Sequence, residues 1–430
     1  MKYFLTTLCL SLAFTSFAQT KSIKTSPPLS ESSPASAGMS DERLARIDAM
    51  LMESIDKQEI PGAVALIARN GKIVYHKAFG MTDNASKRKA KTDDIFRIAS
   101  QTKAITSTAV MMLWEEGKFR MDDPISKYIP EFANPQVLDS LIEADSSYTT
   151  VSADKEITIR HLITHTSGIG YGFIDGDRRF TKIYQKAGII DAFTTEPIKI
   201  GDNIKKLAKL PLHHNPGEAF TYSEGLDVLG YFVEIMSGMP LDKFFKKRIF
   251  DPLGMTDTYF YLPKSKESRL VSSQTKKDEK WVRFPEFPGF TQDYPITGAK
   301  AFFSGGAGLS STAKDYATFL QMYLNNGELN GTRLLSRTTI QFMMQNQIGD
   351  LLGNSGRNYG LAFGIIDERG QADGGRGSIG TFDWGGYFNT QYFADPKENI
   401  IGILMKQTQE IPSDNTGWKF RQLVGQAVDD

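Results

Sequence analysis

The chain has 430 residues, in which 50 Lys plus Arg balance 50 Asp plus Glu. That length allows one large domain, or two interleaved ones, around a sizeable core. The absence of net charge, together with the lack of any basic block with interleaved aromatics, excludes a surface built for nucleic acid or anionic lipid.

The N-terminus is distinct. Met1-Lys2 gives a positive start, residues 4–17 are mostly apolar, and Ser16-Phe17-Ala18 is a small-x-small site before Gln19. This reads as a secretory signal peptide over residues 1–18. The apolar run is too short and too interrupted for a spanning helix. The single cysteine, Cys9, lies inside it, so the mature chain would have no thiol, disulfide or cysteine metal site. Cys9 also lacks the small residues before it that a lipid-attachment site requires. The expectation is an exported protein, periplasmic or extracellular, without a stable membrane anchor. Residues 19–38, rich in Ser, Pro, Ala and Lys, read as a flexible linker.

Ser40 is placed to cap a helix whose Leu44, Ile47, Leu51 and Ile55 follow helical spacing. Residues 63–69 and 72–79 are apolar, β-prone runs joined by Asn70-Gly71, a strong hairpin signal. Residues 98–117 are apolar on nearly every face, which predicts a buried helix ended by Gly117. From about 122 to 298 the pattern gives short helices and long polar loops, the clearest helices being 159–164 and 225–237. After Gly305-Gly306, residues 312–325 form an amphipathic helix, 387–394 and 400–406 a second hairpin, and 418–428 a closing helix. Strands sit at both chain ends and helices in the middle. The predicted fold is therefore α/β of the α+β kind. An antiparallel sheet built from both chain ends (residues 39–120 plus 299–430) is flanked by helices. A mostly helical inserted region (121–298) lies beside it, with chemistry between the two.

A serine hydroxyl becomes a useful nucleophile when a base lies within hydrogen-bond reach. Ser and Lys three apart on a helix share a face. A lysine on an apolar helix loses hydration, which disfavours the ammonium and favours an amine able to take the hydroxyl proton. The Ser-x-x-Lys pattern occurs six times: Ser54/Lys57, Ser86/Lys89, Ser100/Lys103, Ser152/Lys155, Ser273/Lys276 and Ser311/Lys314. Ser86, Ser152 and Ser273 lie in polar or charged loops, and Ser54 falls late in an amphipathic helix. Ser311 also opens a helix, but Thr312 with Asp315 looks like a capping box and Lys314 has polar neighbours. Ser100 alone opens a helix buried all round, and a helix start offers free N–H groups to an oxyanion.

Two further segments support this choice. Tyr222 follows a Pro216-Gly217 turn and precedes an apolar helix, and a phenol beside a lysine can relay protons. Trp384-Gly385-Gly386 lies before a predicted strand, where paired glycines permit close backbone approach and the N–H of Tyr387 could face an oxyanion.

Taken in order, these landmarks resemble the β-lactamase-like serine hydrolases: class C β-lactamases, D-Ala-D-Ala peptidases, family VIII carboxylesterases and related acyltransferases. They are residues 96–103 around Ser100, 161–168, Asn215-Pro216-Gly217, Tyr222-Ser223, Pro252-Leu253-Gly254-Met255, residues 305–309 and Trp384-Gly385-Gly386. The resemblance implies that Ser100 forms an acyl-enzyme, Lys103 is its base and Tyr222 relays protons. Backbone N–H groups of Ser100 and Tyr387 would form the oxyanion hole. Glu224, Trp384, Gly385 and Gly386 would contact substrate. Glu224 stands where lactamases and peptidases usually have Asn, and Trp384 where they have Lys or His. Loss of that cation removes a holder of carboxylates, and an indole offers an apolar wall. Both departures point toward neutral esters and the esterase branch. The alternatives are a peptidase or lactamase acting on cell-wall-like amides, or a non-catalytic receptor or wall-binding protein. The last of these would need none of Ser100, Lys103 and Tyr222.

The expected partner is a small-molecule ester or amide, with no cofactor and no metal. His161 and His165 are four apart, but no Glu follows His161 as in a metalloprotease motif. Residues 375–380 match Gly-x-Gly-x-x-Gly without the strand and helix a dinucleotide site needs. There is no Gly-x-Ser-x-Gly elbow.

Overall fold

In the computed structural model, which describes residues 21–142, 145–286 and 290–430, strands from both chain ends share one nine-stranded sheet. The N-terminal strands are β1 (Ser30–Glu31), β2 (Gly62–Arg69) and β3 (Lys72–Asp83), with a short strand Arg88–Lys89 beside β3. The C-terminal strands are β4 (Arg357–Tyr359), β5 (Gly364–Ile366), β6 (Phe382–Gly386), β7 (Thr390–Asp395) and β8 (Ile400–Met405). Their order across the sheet is β1-β3-β2-β8-β7-β6-β5-β4. The seam is the antiparallel pairing of β2 with β8, from Arg69 opposite Ile400 to Val64 opposite Met405. The Asn70-Gly71 hairpin forms as predicted, both residues having positive φ. Parallel pairing of β1 with β3 is the one departure from an antiparallel sheet.

Because side chains alternate along a strand, the sheet buries two separate faces. Ala65, Ile67, Phe393 and Leu404 pack against helices α1 (Asp41–Asp56) and α5 (Thr416–Gln426). Val64, Leu66, Tyr392 and Ile403 face the larger core. That core holds α2 (Thr102–Glu115), α3 (Gly225–Ser237) and α4 (Ala313–Leu324). Every residue of α2 from Thr102 to Leu113 is buried, as its all-round apolarity requires. Its hydroxyls bond outward or back to the helix. Thr106 donates to Gly305 O at 2.6 Å, Ser107 to Leu361 O at 2.8 Å and Thr108 to Ala104 O at 2.9 Å. Two of the three therefore tie neighbouring loops to the helix, so burying them leaves no hydroxyl unsatisfied.

Three expectations need correction. Between 121 and 298 the chain forms short helices, but also two hairpins, Gln136–Ile142 with Ser147–Ser152 and Gln274–Lys277 with Lys280–Arg283. Their polar faces hide the strand period. Trp384-Gly385-Gly386 lies inside strand β6, and the turn comes after it, at residues 387–389. Residues 21–38 are fixed in place and do not form a flexible linker. Ser30 and Glu31 add a strand to the sheet. Ser26 gives its N–H and its hydroxyl to the buried Glu328, at 3.1 and 2.5 Å. Glu328 lies about three hundred residues from Ser26, and the strand partner of Ser30–Glu31 begins at Lys72, so local composition cannot reveal either. The expected signal peptide, residues 1–18, lies outside the described residues. Among those residues no helix is long and apolar enough to cross a membrane.

Glu328 also accepts from Gly331 N–H at 2.7 Å. Glu328→Ala strands three donors and should destabilise the fold by about 2–4 kcal/mol in denaturant unfolding. It should also expose the segment around Lys21 and Lys24 to trypsin. If residues 21–38 were a loose tether, stability would stay unchanged.

Candidate active site

Ser100 sits in a 3-10 turn, Ala99–Gln101, that leads into α2. Several contacts fix this turn. Phe96–Arg97 pairs with Ser310–Ser311, and Ile98 N–H donates to Leu309 O at 3.0 Å. The buried Arg97 guanidinium donates to Val271 O at 2.6 Å, to Gln407 Oε1 at 3.3 Å and to Gln292 O. Tyr316 OH caps Gln101 O at 2.9 Å. Ala99, buried beside Ser100, has φ of +42°, a conformation that non-glycine residues rarely adopt. The turn that presents the serine is thus strained and held by its surroundings.

Lys103 is the hub of the site. With 1 % of its surface exposed, its Nζ lies 3.2 Å from Ser100 Oγ, 2.9 Å from Gly306 O and 2.9 Å from Tyr171 OH. Nζ also sits 4.6 Å from the centre of the Tyr222 ring. Gly306 O can only accept, so one N–H points there. Tyr171 OH can take a second, which leaves the third position on nitrogen facing Ser100 Oγ, where an unprotonated amine would accept the hydroxyl proton.

Tyr222 is held by backbone bonds between its segment and residues 165–170. Thr221 N–H donates to His165 O at 2.8 Å and Glu224 N–H to Gly170 O at 3.1 Å. Its ring packs against His165 at 4.6 Å, Tyr171 at 5.6 Å and Trp384 at 5.7 Å. Trp384 Nε1–H donates to Tyr222 OH at 3.3 Å. Trp384 therefore does more than wall the site: its one polar group orients the phenol.

Of the two glycines, Gly386 is the constrained one. A Cβ there would stand 2.4 Å from Ile98 O and 2.3 Å from Thr390 Oγ1, whereas one at Gly385 would meet Thr390 O at 3.3 Å. The missing side chain at Gly386 lets β6 pack against the strand end that carries Ser100. The N–H groups of Ser100 and Tyr387 are not engaged by any acceptor among the described residues, so both can donate to an oxyanion. A cavity of about 700 Å³ runs along β6; Phe220, Tyr359, Trp384 and Trp418 share its walls with Arg357, Arg376, Asp383 and Arg421, and Ser100, Lys103 and Tyr222 do not line it.

The structure thus brings together Ser100, Lys103, Tyr222, Trp384, Gly386 and Tyr387. Glu224 is the exception: it is buried under the site, at the start of α3, out of a substrate's reach. Burial, and then Asp191 and Asp227 nearby, push its carboxyl well above the usual carboxylate range. Tyr171 lies in a patternless loop, where a tyrosine carries no local signal of its role. His161 and His165 have structural partners. His161 Nδ1 accepts Thr158 N–H at 3.2 Å, and His165 Nδ1 lies 2.9 Å from Ser223 Oγ. Among the described residues no group of three or more His, Cys, Asp or Glu could hold a metal ion.

Comparison with known proteins gives a consistent picture. Residues 46–426 match the family model described as Beta-lactamase. Protein Rv1367c of Mycobacterium tuberculosis is 32% identical over 373 residues, covering 84% of this chain and 88% of its own. Esterase EstB of Burkholderia gladioli is 30% identical over 377 residues, covering 85% and 90%. The structure of EstCE1, described as a hydrolase with promiscuous acyltransferase activity, superposes with a TM-score of 0.75 at 27% identity, covering 91% of this chain and 99% of its own.

Two outcomes are expected. Tyr171→Phe removes one partner of Lys103 and should slow fluorophosphonate labelling of Ser100 roughly tenfold. Labelling at the wild-type rate would remove Tyr171 from the site. Glu224→Gln replaces a carboxyl that burial holds well above the usual carboxylate range. The unfolded chain releases that proton above about 4.5, while the native state holds it to higher pH. Wild-type stability tied to this group is therefore fully present below that pH and lost as pH rises. Denaturant unfolding should show the variant gaining on the wild type between pH 5 and pH 8, and a constant difference would refute the assignment.

Proposed function

Because the chain belongs to the Beta-lactamase family of serine hydrolases, we propose that it hydrolyses carboxylic esters through an acyl-enzyme on Ser100. The observation that carries this reading is the placement of a buried Lys103 amine between Ser100 Oγ and two fixed oxygens, Gly306 O and Tyr171 OH. Lys103 takes the Ser100 proton as Oγ attacks the ester carbonyl, and the oxyanion accepts from the N–H groups of Ser100 and Tyr387. The tetrahedral intermediate collapses, the C–O bond to the alcohol breaks, and the departing alkoxide takes a proton by way of Tyr222 and Lys103. Water then attacks the acyl carbonyl, giving up its proton along the same route. The carboxylic acid leaves and Ser100 regains its hydrogen.

Trp384 supports an ester over an anionic lactam. Its indole N–H is already committed to Tyr222 OH, so it offers no charge to a substrate carboxylate. Similarity to EstB, an esterase, points the same way. The reading includes export, from the signal-like residues 1–18.

The test pairs the wild type with Ser100→Ala on short p-nitrophenyl esters, nitrocefin and a D-Ala-D-Ala peptide. Ester turnover should dominate, with little lactam turnover, and Ser100→Ala should lose at least roughly 10³-fold in kcat. Ester hydrolysis surviving in Ser100→Ala would sink the nucleophile assignment. Rapid nitrocefin hydrolysis without ester hydrolysis would move the protein to the lactamase branch.

A further inference from the structure

Asp227, in the first turn of α3, has 1 % of its surface exposed and touches neither Ser100 nor the cleft by any hydrogen bond. Its carboxylate accepts Ser304 Oγ–H at 2.5 Å and Gly306 N–H at 3.2 Å. Ser304 Oγ accepts in turn from Ala307 N–H at 3.0 Å. From the other side, Thr106 of α2 donates to Gly305 O at 2.6 Å. The turn at 304–307 is therefore clamped between two helices. Gly306 has no room for a side chain: a Cβ would lie 2.2 Å from Asp227 Oδ2 and 3.3 Å from Tyr171 OH. The carbonyl of this Gly306 is the one that Lys103 Nζ meets at 2.9 Å.

We propose that Asp227 is the positioning residue of the Lys103 amine. It sets the Gly306 carbonyl where that oxygen takes one N–H and leaves the lone pair facing Ser100. It also supplies the buried negative charge that balances the lysine once it carries the serine proton. In that step the Ser100 O–H bond breaks and a fourth bond to nitrogen forms. Positive charge appears on Nζ, and the electron pair of Oγ goes into the new bond to the acyl carbon. A cation created inside the protein, away from water, needs a nearby anion. The groups around Asp227 from each packed element are Lys103 on α2, Tyr171 and Asp191 from the loop beside it, Glu224 at the head of its own helix, and the Ser304–Gly306 turn. Burial raises both carboxyls, but the Ser304 hydroxyl, Lys103 and the Gly306 N–H oppose it at Asp227, whereas Asp191 and Asp227 push Glu224 further up, so Asp227 is the better placed counter-charge.

The inference rests on Ser100 acylation assisted by Lys103, and the experiment separates the two. Asp227→Asn, Asp227→Ala and Ser304→Ala are compared with wild type in p-nitrophenyl ester turnover, nitrocefin turnover and fluorophosphonate labelling of Ser100, each across pH. Asp227→Asn keeps acceptors for Ser304 and Gly306 but removes the charge. Its kcat should fall roughly tenfold with KM within about twofold, and the acid limb of kcat should move to lower pH by about one unit. Asp227→Ala should lose roughly a hundredfold. Ser304→Ala keeps the charge and loosens the turn, so kcat should drop about threefold with the acid limb unmoved. Wild-type kcat in Asp227→Asn, or a loss of kcat with a stationary acid limb, overturns the proposal. Should Asp227→Asn fail to fold, an unaltered labelling rate in Ser304→Ala overturns it instead. A wild type that turns over nitrocefin and no ester defeats the substrate reading alone, since the labelling series still reports on Lys103.

Discussion

Burying a lysine amine constrains everything around it. Each position around its nitrogen must meet a partner, and those partners must be held by structure that does not yield to water. At Lys103 one partner is local and two are remote: Ser100 one turn back, Tyr171 from a loop and Gly306 from a turn. The helix that carries Lys103 is buried on every side, so the amine cannot swing out to solvent. Each partner has its own anchor. Tyr171 N–H is held by Asp175 at 3.1 Å, Gly306 by Asp227, and Ser100 by the strained turn at Ala99. Much of the polar architecture of the interior can be traced outward from one nitrogen.

Aromatic packing completes the arrangement. His165, Tyr171, Tyr222 and Trp384 form a connected set of rings, and Tyr222 touches the other three. His165, fully buried, has φ of +58°, so here too the backbone takes an unusual conformation to place a ring. Burial, and then the charge of Lys103, holds its imidazole well below the usual range, which keeps it an uncharged packing partner for the phenol.

The legible parts of the sequence were those where local pattern and tertiary role agree. The Asn70-Gly71 hairpin, the all-round apolar helix after Ser100 and the helix at 225–237 follow from periodicity and turn chemistry, and the structure has them. Ser100 could be told from five other Ser-x-x-Lys pairs because burial of its helix is written in consecutive residues. Tyr171 and Asp227 could not be assigned roles, because theirs depend on contacts with residues 68, 77 and 79 positions away. Glu224 was misplaced for the opposite reason. It lies two residues from Tyr222, but it is the N-cap residue of α3 and its carboxyl is buried. The segment at 21–38 looked like a tether because its polar composition is matched by distant partners such as Glu328.

The seam between β2 and β8 has a consequence for how this protein comes into being. Ser100 lies in the first quarter of the chain, yet the sheet beside it is closed by residues 400–405, and β6, which flanks the nucleophile, is itself a late strand. Pairings so far apart in sequence form late and slowly, after most of the chain has been made. On a ribosome, the serine and lysine emerge long before Tyr222, Gly306 and Gly386 exist to surround them. The nucleophile therefore stays chemically idle through synthesis, and it is armed as the last strands of the sheet are zipped into place.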